Sequence, residues 1–173
     1  MNALFLMKNH ILFLLIFIGF ISFGQEKSLD QVECLVYAID SDTTLIKLEY
    51  DWMELSEYTT DGGGVLKVWR DKEQIRKIVE EIGLSYGQVK TTIYLQDDLP
   101  IKIIETEENF GFQDGEINYT ELFEVYSAEI YVYDWEMDDS EIVQKGKRNL
   151  SDGTCSMYEY ESVIELAKKT MEN

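Results

Sequence analysis

Carboxylates are the only abundant reactive side chains in this chain: 34 Asp and Glu stand against 15 Lys and Arg and a single histidine. The densest group is Asp134, Glu136, Asp138, Asp139 and Glu141, followed by Glu105, Glu107 and Glu108. Two carboxylates whose pKa values are pushed apart can hydrolyse a glycosidic bond. With this many acids such a pair arises by chance, and a solvated acidic turn accounts for the same residues. Clusters of oxygen ligands also suit Ca2+. Asp40-x-Asp42-x-Thr44 imitates the start of an EF-hand loop, but Leu45 stands where glycine is needed and Asp51 where a glutamate should close the loop. Asp61-Gly62-Gly63-Gly64 lacks the Lys-Ser/Thr of a phosphate loop and is expected to connect two strands. These patterns assign no catalytic residue and no cofactor, and they leave a metal site open.

The sole histidine, His10, lies in the first 24 residues, which read as an export signal. Lys8 precedes the apolar run Ile11–Ile21, and Ser22 and Gly24 stand at −3 and −1 of a cleavage point before Gln25. The run is too short for a membrane-spanning helix, and Met7 could start the chain as well as Met1. Cleavage leaves residues 25–173 as one acidic domain without imidazole, which excludes Ser-His-Asp and Cys-His catalysis and His-ligated zinc. It also leaves 14 Lys and Arg against 34 Asp and Glu. That balance rules out general nucleic-acid binding and argues against adhesion to anionic membranes. Two cysteines remain, Cys34 and Cys155; in a periplasmic or secreted protein they are expected to pair, two buried thiols being the alternative.

Aromatics are the other feature able to do something. Tyr131, Tyr133 and Trp135 alternate along one strand face, with Ile130 and Val132 on the other. Such a strand is either covered on both sides or shows one side to a partner. The three rings are therefore candidates for a binding surface, since Tyr and Trp dominate recognition hot spots.

The elements positioning these residues follow from periodicity. Ser28 and Gln31 form a capping-box pattern ahead of Leu29, Val32, Leu35, Val36 and Ile39, which predicts a helix over 29–39. From Leu45 the period becomes two, with Ile46, Leu48, Tyr50 and Trp52 on one face. Three hairpin-like units follow: Val65–Trp69 with Gln74–Ile82, Val89–Leu95 with Ile101–Glu107, and Glu129–Trp135 with Glu141–Lys145. Each joins an aromatic-bearing strand to an Ile-rich strand through an acidic turn. Leu122–Ala128 is expected to add one strand, and Phe110–Gly115 a loop carrying two aromatics. Tyr160, Val163, Ile164, Ala167 and Met171 make the stripe of a final helix, with Glu165 and Lys169 spaced to pair. Consecutive pairing makes the expected fold α+β: an antiparallel β-meander of six or seven strands with an N-terminal and a C-terminal helix.

The units Val65–Ile82 and Val89–Glu107, behind a signal ending Ser-Phe-Gly-Gln, resemble a group of small exported bacterial proteins of uncharacterised function, built as β-meanders with short flanking helices. The resemblance covers residues 60–145 and implies a fold and a compartment, with no site residues. The function expected overall is non-catalytic binding through an acidic surface, with a basic exported protein as partner. The alternative is a carbohydrate-binding or carbohydrate-active protein using surface aromatics and paired carboxylates. A concave cleft holding two acids and an aromatic would separate the two.

Overall fold

The first helix begins where its cap dictates. The Ser28 hydroxyl accepts the Gln31 backbone N–H and the Gln31 side chain accepts that of Ser28, so α1 (Leu29–Ser41) starts at a formed capping box. The computed structural model describes residues 28–152 and 156–171. After β1 (Ile46–Asp51), the expected continuation of the strand through Trp52 gives way to a short helix, α2 (Trp52–Ser56). The Asp51 carboxylate causes this, accepting the N–H groups of Met53 and Glu54 as an N-cap. Trp52 is thereby turned into the core.

Six further strands follow, β2 (Gly64–Arg70), β3 (Ile75–Leu84), β4 (Gly87–Gln96), β5 (Leu99–Gln113), β6 (Glu116–Asp134) and β7 (Asp139–Gly146). They join β1 in one antiparallel sheet whose spatial order is the chain order. A 3-10 turn (Met157–Tyr160) leads into α3 (Glu161–Lys169). The fold is the α+β meander with a helix at either end. Two boundaries differ from the sequence expectation. Phe110–Gln113 is strand rather than loop, because β5 runs 15 residues to a tight turn at Asp114-Gly115. Residues 122–128 and 129–134 form one strand, β6, of 19 residues. Both turn residues Asp114 and Gly115 have positive φ, as a two-residue hairpin turn matching strand twist requires.

The sheet is covered unequally. On one side α2 and α3 bury Leu66, Val68, Ile78, Ile93, Ile103 and Ile130 beneath Met157, Tyr160, Val163 and Ala167. On the other, α1 rests Val32, Val36 and Ile39 on Tyr94 and Ile101. The register explains the repeated hairpin pattern. Lys47, Trp69, Lys77, Tyr94, Lys102, Tyr131 and Glu141 are directly paired neighbours in one row across all seven strands. Cations and rings alternate along it, with Lys77 over Trp69 and Tyr94, and Lys102 4.7 Å from the Tyr131 centroid. Glu33 and Asp40 of α1 close the row from above, pairing with Lys102 and Lys77. The Trp69–Lys77 and Tyr94–Lys102 pairs are the aromatic and the lysine of the first two units. In the third, Tyr131 faces Glu141 instead.

Candidate functional site

The length of β5 and β6 creates a projecting feature. β4 begins at Gly87, opposite Asn109, and β7 ends at Gly146, opposite Tyr126. Residues 110–125 therefore project past both neighbours as a two-stranded arm. Phe110 pairs with Leu122 and Phe112 with Ile117, so these four share a face, and the Phe110 ring meets Tyr119 edge-on at 5.1 Å. Tyr119–Glu121 bulge out between Asn118 and Leu122, where the Asn118 side-chain Oδ1 accepts the Thr120 N–H and hydroxyl. On the opposite face Phe123 lies over Gly111, where any Cβ would come within 2.8 Å of its ring. Large apolar surface stays in water: Phe112 is 72% exposed, Tyr119 65% and Phe123 55%. A soluble surface rarely concentrates such rings without a use for them. The arm is also acidic. From Ile103 to Gln144 the chain has 13 carboxylates and no lysine or arginine.

The three rings singled out from the sequence are not brought onto one face. Tyr131 packs against the α1 cluster, and its hydroxyl donates to Glu33 and Glu129. Burial first, then that bond to Glu33, pushes its pKa up to about 12. Trp135 lies past the end of β6 in the opposite cluster, its ring 5.7 Å from Tyr158. A register shift between Val132 and Asp134 breaks the alternation that the sequence pattern assumes. Tyr133, half-buried between them, donates its hydroxyl to Glu141. Reading Phe110–Gly115 as a loop finds its two aromatics but not their strand, and it leaves Tyr119 and Phe123 unremarked. The Asp114-Gly115 dipeptide between apolar stretches was the signal that could have found them.

Most of the candidate acids have structural duties. Asp134 accepts the Met137 N–H, Asp138 the Met157 N–H, and Glu141 the Tyr133 hydroxyl. Asp42 accepts from Thr44, and Asp40 holds Lys77 and the Tyr94 hydroxyl. Glu105, buried on the α3 side, pairs with Arg148 and accepts the Tyr160 hydroxyl at 2.7 Å. Glu107 is fully buried and accepts three backbone N–H groups, of Asn149, Leu150 and Ser151, plus the Ser151 hydroxyl. Among the described residues no three His, Cys, Asp or Glu side chains come together to hold a metal ion. Cys34 is exposed on α1, and Cys155 lies outside the described residues, as does the 1–24 segment.

Acids do line clefts: the candidates Asp134 and Glu136 border one of about 370 Å³ with Tyr133 and Trp135, and Glu80 and Glu165 border another. Between α2 and α3 a cavity of about 320 Å³ is lined by Trp52, Tyr58, Glu80, Ser162, Glu165 and Lys169. Glu80 is buried, and its carboxyl accepts the Trp52 indole N–H at 2.5 Å. Burial pushes its pKa up, and the indole bond only partly opposes that. No protein family, curated protein or solved structure matches the chain.

Proposed function

We propose that the protein is an exported, non-catalytic binding protein whose β5–β6 arm engages a basic exported protein. The export signal over residues 1–24 supports a periplasmic or secreted location. No helix among the described residues is long and apolar enough to cross a membrane. The observation carrying the proposal is that exposed Phe112, Tyr119 and Phe123 share one projecting hairpin, which lies within a stretch of 42 residues lacking any cation. Rings supply contact area at low entropic cost, and the uncompensated charge selects a cationic partner and speeds its approach. A concrete partner class is a basic cell-wall hydrolase. Titration calorimetry against such a hydrolase should give binding that weakens with salt. Phe112→Ala with Phe123→Ala should weaken it by about tenfold or more at unchanged melting temperature. Equal binding by the variant, or no salt dependence, would refute the proposal.

Two observations favour the carbohydrate alternative: one cleft places Tyr133 and Trp135 beside Asp134 and Glu136, and the α2–α3 cleft places Trp52 and Tyr58 beside Glu80 and Glu165. If that cleft takes sugars, a soluble glycan fragment should perturb Trp52 fluorescence, and Tyr58→Ala should abolish the effect.

A further inference from the structure

The last strand of the sheet leaves an open edge with an unusual charge order. Among the described residues no strand lies beyond β7 (Asp139–Gly146), which holds no proline and exposes apolar side chains on both faces, Ile142 at 55% and Val143 at 53%. Edge strands are ordinarily blunted, because free backbone N–H and C=O groups invite pairing. Here the charges are sorted instead. Asp139 and Glu141 occupy the first half, while Lys145 and Lys147 occupy the second half and the residue after it. All four are exposed. In a chain with 13 acids and no cation from Ile103 to Gln144, Lys145 is the first positive charge met.

We propose that β7 pairs antiparallel with β7 of a second copy, in the register centred on Val143, extending the two sheets into one across a two-fold axis. In that register Val143 meets Val143 on the axis and each Glu141 faces the other copy's Lys145. The Glu141–Lys145 match occurs twice by symmetry, which is what an isologous interface requires. Paired residues share a face, so opposite charges directly across the strands attract. Shifting by one residue either way separates Glu141 from Lys145. The apolar side chains gain cover as well. Ile142 borders a groove of about 430 Å³ along β6 and β7, lined by Tyr126, Ala128, Ile130 and Arg148, that runs out to this edge. The pairing does not depend on the arm or its partner.

Sedimentation equilibrium of the purified protein at micromolar to submillimolar concentration tests this, with Glu141→Lys, Lys145→Glu and the double swap. The wild type should dimerise. Each single swap should weaken the dimer by about tenfold or more, through like charges directly opposed, and the double swap should restore it. Glu141→Lys is the telling variant, because it reduces the net negative charge and would strengthen any association limited by overall repulsion. A monomer at every concentration, a dimer indifferent to the swaps, or a double swap no tighter than the singles would each overturn the proposal. Glu141 also accepts the Tyr133 hydroxyl, so melting of every variant is followed at a concentration where the wild type is monomeric, and a cooperative transition in each shows that a lost dimer is not a lost fold.

Discussion

Glu80 shows how a single carboxyl can act against the rest of the fold. It is buried beside Trp52, and burial holds its pKa above the ordinary value of 4.5. A raised folded-state pKa means that the folded protein binds the proton more tightly than the unfolded chain. Its stabilising contribution is therefore complete below about pH 4.5 and is lost as pH rises through the folded-state value. Glu80→Gln keeps an oxygen for the indole N–H and removes the charge. It should raise the melting temperature at pH 7 by about 2–4 °C, on the basis of about 1 kcal/mol in a domain of this size, and the gain should vanish near pH 4. A gain equal at both pH values would mean that Glu80 is not charged at pH 7. The sequence showed only one more acid here. What sets Glu80 apart is the helix begun by Asp51, which turns Trp52 over it.

At the scale of elements, the segment after β7 is held down by one side chain. Lys147 donates its N–H to the Val125 carbonyl, and the chain then crosses to Glu107, whose carboxylate accepts the N–H groups of residues 149–151. Burial alone would raise the Glu107 pKa, but the Ser151 hydroxyl and the three N–H groups outweigh it and hold it below 4.5. Replacing it with glutamine turns one acceptor into a donor facing donors. Glu107→Gln should cost about 2–3 kcal/mol at pH 7. Because the folded pKa is depressed, that difference should persist above pH 4.5 and shrink as pH falls through the folded value. Urea unfolding of both proteins at pH 7 and pH 4 measures it; a cost independent of pH would assign the effect to packing. Of the elements themselves, the helix caps, hairpins and final helix were legible because each is a local pattern. The arm was not, since its strands are long only relative to where β4 and β7 stop.

For the molecule as a whole, 34 carboxylates against 15 cations leave most acids without an ionic partner. Self-repulsion should therefore oppose compaction at neutral pH. Reducing that net charge by protonation, or screening it with salt, relieves the repulsion and favours the folded form. Glu33, Asp42, Glu49, Asp71 and Glu107 are held below their ordinary values, Glu33 by Lys102 and Asp71 by the Glu73 and Gln74 N–H groups. Their contribution is lost only below their ordinary values near 4. Stability should thus rise from pH 7 to about pH 5, fall again below about pH 4, and rise with sodium chloride at pH 7 as screening grows. Melting curves at pH 7 and 5, each at low and high salt, decide it. A fall toward pH 5 with no response to salt would show the acids to be mainly paired.

The sequence by itself determined the meander, its two terminal helices and its acidity, because periodicity, caps and charge are properties of neighbouring residues. The Trp69–Lys77 and Tyr94–Lys102 motifs were visible as a repeat; only the register turned them into one continuous row beneath α1. Tyr131, Tyr133 and Trp135 looked like one face until a register shift and the end of β6 sent Tyr131 and Trp135 to opposite sides. Which acids are buried, which rings stay in water and which strand edge is left open were decided by tertiary structure. Each depends on how far one strand outruns its neighbour, and no local pattern encodes that difference.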